Sequence, residues 1–235
     1  MTPEEIDNIL VDAANRSLSP GEDRAAIKRA QGAILTDLRP VMPLAPLWVF
    51  TLAFLTIFVA LAAVTGSVLG LHGIHALNTI QRALIFPALF VSSSLAAAAC
   101  AREMRPAAGL HLGATALIVT AGLFPLLFSV VFEGYGTLNF VPEGIPCLVA
   151  GMCVAIPTGV ITAWILRRGF VLDWCRAGTA GGALSGLTGL AMLELHCANL
   201  KAIHVMVWHV AVVIVSGILG FGVGRIVDSL RRRKI

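Results

Sequence analysis

Long stretches without a charged residue alternate with short charged segments along most of this chain. Each stretch has about the length, roughly 20 apolar residues, that an α-helix needs to cross the hydrocarbon of a bilayer. A charge at the bilayer centre costs about 2.5–3.5 kcal/mol, so charged residues collect at the ends of membrane spans. The pattern therefore predicts an integral membrane protein. The six charge-free stretches are 40–81, 83–101, 106–132, 144–166, 177–193 and 202–224.

These stretches predict an all-α fold, a polytopic membrane bundle of six transmembrane helices with a short helical amino-terminal tail. The tail covers residues 1–45, the six-helix transmembrane domain covers 46–227, and a basic end covers 228–235. The hydropathy pattern places the helices at 47–69, 80–101, 107–131, 147–166, 176–196 and 203–225.

Composition and charge agree with a membrane protein of defined orientation. Charged residues make up 13% of the chain, against about 25% in a soluble domain, and the mean hydropathy is +0.88. Of the 17 lysines and arginines, all but Arg82 and Lys201 lie in the tail, in alternate loops or at the carboxyl end. Because cytoplasmic loops carry the excess of basic residues, both termini are predicted to face the cytoplasm. The basic residues therefore do not indicate a nucleic acid.

The tail is predicted to form two short amphipathic helices. Thr2-Pro3-Glu4-Glu5 and Ser19-Pro20-Gly21-Glu22 are both typical of helix starts. The tail has seven acidic and five basic residues, which disfavours DNA or anionic lipid as its partner. Its apolar stripes either dock on another protein or pack against the cytoplasmic loops of the bundle. The predicted partner-binding residues are Ile6, Ile9, Leu10, Ile27, Ile34 and Leu38.

The fifth and sixth predicted helices carry small residues at every fourth position. These are Gly178, Gly182 and Gly186 on the fifth helix, and Ser216, Gly220 and Gly224 on the sixth. Small residues at this spacing let two helix backbones approach closely. The stripes predict either a tight bundle or a homodimer that forms through one of them.

Chemically interesting residues are predicted at the opposite, outward face. Cys147 begins the fourth helix, Glu194, His196 and Cys197 end the fifth, and His204 and His209 begin the sixth. Thiol, imidazole and carboxylate groups can bind a soft or borderline metal ion, and two thiols can form a disulfide in an oxidising compartment. The alternative is a structural role. Residues five apart lie about 140° apart on an α-helix, so His204 and His209 are not expected to chelate together.

Three short motifs resemble the NrsF-type membrane anti-sigma factors. They are Asp37-Leu38-Arg39-Pro40-Val41-Met42-Pro43-Leu44, Ile145-Pro146-Cys147-Leu148 and Leu193-Glu194-Leu195-His196-Cys197. The resemblance covers nearly the whole chain, in the same order and with six segments. One departure follows Cys197, where the family carries proline and acidic residues and this chain continues Ala198-Asn199-Leu200-Lys201. Fewer acidic groups favour a thiol redox signal over metal binding.

The resemblance implies a regulator that holds an extracytoplasmic-function sigma factor at the bacterial inner membrane through its tail. It also implies that Cys147 and Cys197 are the sensing pair. No enzymatic activity and no cofactor are expected, since Ala183-Leu184-Ser185-Gly186 lacks the GxSG pattern of rhomboid proteases. The alternative is a small six-helix transporter or channel, in which Glu194 would be the buried charge.

Overall fold

The structure is a computed structural model that describes residues 45–105 and 112–233, together with the helical positions 5, 8, 28, 29, 31 and 32. The side chains of residues 112–121 are not among those described. The chain divides into two compact units, Met1–Pro43 and Leu44–Ile235. The helices below all belong to the second unit.

Six long helices and one short helix make up the described part of this unit, which contains no strand. The all-α prediction is confirmed. The last helix contains a π-helical segment, Val205–His209, one turn after its start. The helices are α1 (Leu47–Leu69), α2 (His72–Ala76), α3 (Thr79–Glu103), α4 (Leu112–Val131), α5 (Phe140–Leu166), α6 (Trp174–His196) and α7 (Ala202–Arg232).

Local sequence signals account for several helix boundaries. Asn78 and Gln81 form a capping box at the start of α3, because each side chain accepts a hydrogen bond from the other's backbone N–H at 2.9 Å. The Asp173 carboxylate caps α6 by accepting from the backbone N–H of Arg176. At the end of α1, Gly70 has φ +100°, a backbone conformation that favours glycine.

Four helices, α1, α3, α5 and α7, are long and apolar enough to cross a membrane, which indicates a membrane protein. Their windows of 18 residues have mean hydropathies of 1.9 to 2.5. α4 runs from Leu112 to Val131, and the part of it whose side chains are described, Gly122–Val131, is apolar. α6, which is rich in glycine, is not one of these four helices, and its packing explains why.

α6 is the central helix of the bundle. It packs against each of the five other long helices, and every residue from Ala180 to Glu194 is buried. A helix that is covered on all sides does not need large apolar side chains facing lipid, and small side chains let its neighbours approach.

The glycine stripes on α6 and α7 face each other across the closest helix pair. A methyl group at Gly178 would overlap the carbonyl oxygen of Gly220, and one at Gly182 would overlap that of Ser216. A methyl group at Gly186 would lie 2.5 Å from Cα of Val213. The predicted close packing is therefore confirmed, and both stripes are used inside the bundle.

The two ends of the bundle differ in charge. At one end the loop between α5 and α6 meets the end of α3, where the Phe170 N–H donates to the Met104 carbonyl at 2.9 Å. The end of α7 reaches the start of α6, because Asp228 accepts from the Trp174 N–H. We call this the arginine-rich end; its basic residues are Arg102, Arg105, Arg167, Arg168, Arg176, Arg225, Arg231, Arg232 and Arg233. The opposite end, which holds Cys147 and Cys197, we call the thiol end.

Candidate functional site

Four potential metal ligands meet at the thiol end. Cys147 lies in α5, Cys197 follows α6 directly, and His204 and His209 lie in the first turns of α7. One ligand atom from each of the four residues lies within 4.8 Å of every other. The Cys147 and Cys197 sulfurs are 3.5 Å apart, and Cys197 Sγ is 3.6 Å from His204 Nε2. We call these four residues the thiol–imidazole cluster.

The π-helical segment brings the two histidines together. A π-helix bonds residue i to residue i+5, so residues five apart fall nearly in line along the helix. The His204 and His209 rings lie edge to face with their centroids 5.4 Å apart. The expectation that these histidines point apart is therefore wrong, because it assumed the 3.6 residues per turn of an α-helix.

Glu194 orients one of the two imidazoles. Its Oε1 lies 2.8 Å from Nδ1 of His209, and both side chains are buried. A carboxylate oxygen accepts the hydrogen bond, so Nδ1 is the donor to Glu194 and Nε2 is left for another partner. His209 Nε2 is buried without a hydrogen-bond partner, and so is His204 Nδ1. The unpartnered Nε2 of His209, in a cluster with two thiols and a second imidazole, is suited to binding a metal ion.

The surrounding residues hold the loop that carries Cys197. The Glu143 carboxylate accepts from Asn199 Nδ2 at 2.8 Å and pairs with Lys201 Nζ at 3.2 Å. The Ala202 N–H donates to the Glu133 carbonyl at 3.0 Å. The sequence does not reveal this role of Glu143, because no pattern in it indicates which residue a single carboxylate contacts.

Two glycines let neighbouring elements approach the cluster. A Cβ at Gly73 in α2 would lie 2.7 Å from the Glu194 carbonyl oxygen and 2.8 Å from that of Cys197. At Gly144, one turn before Cys147, a Cβ would overlap the Trp208 ring. Both positions therefore require glycine for packing, and a lone glycine in the sequence does not reveal this.

The environment of the Cys197 thiol contains opposing influences. Its hydrogen bond with Cys147 and its burial raise the pKa of this thiol, while His204 and His209 lower it. Metal binding would replace the thiol protons, since the thiolate is the ligand. All five cysteines are free thiols, and the distance of 3.5 Å between Cys147 and Cys197 exceeds the S–S bond length of about 2.05 Å.

A family model described as "NrsF: Negative regulator of sigma F" matches residues 35–228. The chain belongs to the NrsF family. The match contains the whole thiol–imidazole cluster and confirms the resemblance inferred from the three short motifs. No curated protein and no solved structure matches the chain. Membership of the NrsF family implies a negative regulator of a sigma factor, and the family description names a regulator rather than a catalyst.

His196 lies outside the cluster of this NrsF-family protein. Its Nδ1 is 3.1 Å from the Gly70 carbonyl oxygen, and its ring is 6.0 Å from that of His72. Of the residues predicted from the sequence as metal candidates, Cys147 and Cys197 belong to the thiol–imidazole cluster, Glu194 contacts its member His209, and His196 ties α6 to the end of α1.

The predicted partner-binding residues of the tail lie outside the described residues. They are Ile6, Ile9, Leu10, Ile27, Ile34 and Leu38. Glu5, Asn8, Lys28, Arg29, Gln31 and Gly32 are helical. The two tail helices and their partner-binding faces stay predictions.

A second group of possible ligands lies at the arginine-rich end. It consists of Asp173, Cys175 and Asp228, all partly exposed. Asp173 caps α6, and Asp228 accepts hydrogen bonds from the Trp174 N–H and the Cys175 thiol. These contacts give both carboxylates a structural role at the start of α6.

Proposed function

We propose that this protein is a membrane-bound anti-sigma factor of the bacterial inner membrane. In this proposal residues 1–45 bind and sequester an extracytoplasmic-function sigma factor. A soft metal ion that reaches the thiol–imidazole cluster from the periplasm then triggers release. Family membership supports the regulatory role, and the convergence of four potential ligand atoms, three of them on buried residues, supports the signal.

The distribution of charge supports the orientation. Nine arginines lie at the arginine-rich end, whereas Lys201 and Arg82 are the basic residues described near the thiol end. By the positive-inside rule the arginine-rich end faces the cytoplasm. Six crossings, formed by α1 and α3–α7, then leave both termini on the cytoplasmic side. Buried α6 counts as a crossing because its five neighbours shield it from lipid.

The distances in the cluster suit a tetrahedral metal site. Two thiolates on Zn²⁺ with Zn–S bonds of about 2.3 Å lie about 3.8 Å apart, and a thiolate and an imidazole nitrogen lie about 3.6 Å apart. The corresponding distances are 3.5 Å and 3.6 Å. Thiolates also bind Cu⁺ well, so Zn²⁺ and Cu⁺ are the ions that this ligand set favours.

A signal at the thiol end can reach the cytoplasm through α6 and α7. Cys197 follows α6 and two ligands lie in α7, so metal binding would change the positions of these helices relative to each other. Their glycine contacts continue to Gly224, where a methyl group would overlap the Trp174 carbonyl oxygen. To convert one state almost fully into another, the ion must favour the second state by about 5.5 kcal/mol. Structural Zn²⁺ sites supply this order of energy.

The metal signal is tested by titrating the purified, reduced protein with Zn²⁺. We expect one ion per chain in the wild type and loss of this ion in Cys147→Ser and Cys197→Ser. Cys153→Ser is the matched control, since Cys153 lies in the same helix as Cys147 but is exposed on the outside of the bundle. Absence of stoichiometric binding, with a disulfide forming on mild oxidation, would replace the metal signal by a redox signal.

Sigma-factor capture is tested separately, by co-purification from native membranes with mass spectrometry of the bound proteins. We expect a sigma factor with the full chain and none with a variant that lacks residues 1–43. Zn²⁺ should release the sigma factor from the wild type and from Cys153→Ser, but not from Cys147→Ser. If neither the full chain nor the isolated tail retains a sigma factor, the proposal is wrong.

A further inference from the structure

An apolar cleft opens between α5 and α7 in the half of the bundle nearer the arginine-rich end. Its volume is about 660 Å³. Gly178, Gly181 and Gly182 of α6 form its floor, and side chains such as Ile156 of α5 and Leu219 of α7 form its walls.

Among the side chains that line the cleft, the buried polar atom without a hydrogen-bond partner lies at one end. Ser185 and Ser216 line the inner part, but their hydroxyl groups bond to the Gly181 carbonyl and to Met152 Sδ. The end of the cleft nearer the arginine-rich end, which we call its mouth, is lined by Arg167, Arg231 and Trp174. The cleft is thus apolar along its length and positively charged at its opening.

The Trp174 side chain carries a donor without an acceptor. Its ring is 6% exposed, and its Nε1 is buried with no hydrogen-bond partner. The Arg231 guanidinium lies 4.9 Å from the centre of the same ring. A buried indole N–H without an acceptor is costly, and an oxygen atom of a ligand held between the arginines would satisfy it.

We propose that this cleft binds an anionic phospholipid. One acyl chain lies over the glycine floor, and the phosphate lies between Arg167 and Arg231 at the mouth. Trp174 Nε1 donates to an oxygen of the headgroup or of the glycerol ester. The chemistry is that of basic pockets between membrane helices, which hold anionic headgroups by charge. This site does not depend on the thiol–imidazole cluster or on sigma-factor binding.

Charge also decides against a helix of a second copy as the occupant. All copies insert in one orientation, so a helix from a second copy would bring its own arginine-rich end to the mouth. The arginines of the two copies would then face each other, and like charges repel. A lipid phosphate at the same place has the opposite charge.

The test measures lipids retained by the full-length protein in detergent, with native mass spectrometry after addition of phosphatidylglycerol or phosphatidylcholine. We expect one tightly retained phosphatidylglycerol and weaker retention of phosphatidylcholine. Arg167→Gln combined with Arg231→Gln should weaken phosphatidylglycerol retention about tenfold or more, since each basic residue near an anionic surface contributes about 1 kcal/mol.

Arg168→Gln is the matched control, because Arg168 is the next residue but lies over the Trp164 ring at 3.9 Å. This variant should retain phosphatidylglycerol as the wild type does. Trp174→Phe keeps the ring and removes the N–H, and should weaken retention by a smaller factor. Equal retention of both lipids, or equal losses in the Arg168 variant and the double variant, would overturn the proposal. So would a lipid-free dimer that the double variant leaves intact.

Discussion

The buried Glu194–His209 pair is the most informative contact between two side chains in this protein. Both side chains are almost completely buried, at 2% and 1% exposure. Burying an acid and an imidazole in a bundle of apolar helices is costly unless each has a partner. The pair satisfies one imidazole nitrogen and leaves the other free. Such a carboxylate is typical of the support that orients a metal-binding histidine.

Glu194→Gln should weaken Zn²⁺ binding without removing a direct ligand. An amide can still hydrogen-bond to His209, but it lacks the negative charge that makes the imidazole a better ligand. We expect affinity to fall about 10- to 100-fold, measured by competition with a chromophoric chelator. His196→Gln changes a residue two positions further along α6 that contacts the Gly70 carbonyl oxygen and not the cluster. This variant should bind Zn²⁺ as the wild type does. Unchanged affinity in Glu194→Gln would contradict a supporting role.

Among the helices, the contact between α6 and α7 determines how tightly the bundle closes. Glycines on both helices place backbone against backbone from Gly186 to Gly224. In a membrane, helices associate through van der Waals contact and not through expulsion of water. A change that separates α6 from α7 therefore loses contact energy that no hydrophobic effect replaces.

Gly182→Ala should therefore destabilise the protein. The added methyl group would overlap the Ser216 carbonyl oxygen, which belongs to a helix backbone and cannot move aside alone. We expect a loss of about 1–3 kcal/mol in the free energy of unfolding, measured by denaturation in detergent. Gly222→Ala is the control, since a Cβ at Gly222 in α7 meets no atom within 4 Å. Because alanine is the better helix former, helix propensity alone would stabilise both variants. Equal losses in the two variants would show that the contact with Ser216 does not set the effect.

The π-helical segment of α7 has a separate role, which is to align His204 with His209. Removing one residue from it, such as the half-exposed Val207, should restore an α-helix there. The glycine contacts hold the rest of α7 in place, so His204 would turn away from the cluster by about 100°. We expect Val207 deletion to abolish Zn²⁺ binding in the titration, while Val207→Ala retains it. Wild-type binding by the deletion variant would show that His204 is not a ligand.

For the whole molecule, the charge difference between the two ends predicts the orientation in the membrane. Only the thiol end should be accessible from outside the cell. A cysteine at Gly136, in the exposed loop before α5, should react with a membrane-impermeant maleimide in intact spheroplasts. A cysteine at Asn8 should react only after the membrane is opened. Labelling of both positions, or of Asn8 alone, would reverse or reject the topology on which the proposed function depends.

Much of the fold could be predicted because bilayer insertion leaves a strong one-dimensional signal. The six long helices overlap the charge-free stretches, and the helix starts at Asn78 and Asp173 follow local capping rules. Two predicted boundaries were wrong: α5 begins at Phe140 instead of at Cys147, and α7 continues to Arg232 beyond the predicted end at 225. Fourfold spacing of small residues also predicted the close contact between α6 and α7. These features depend on neighbouring residues or on a regular period, so the sequence contains them directly.

The cluster depended on the tertiary structure. Cys147 and Cys197 could be placed at one end of the bundle from topology alone, but their separation of 3.5 Å could not. His204 and His209 were predicted to diverge, because periodicity gives no sign of a π-helical turn. The contact between Glu194 and His209 likewise joins α6 to α7, and no pattern in the sequence indicates that these two residues meet. Spans and orientation follow from the cost of charge in lipid, a property of each segment, whereas a ligand set arises only when several segments pack together.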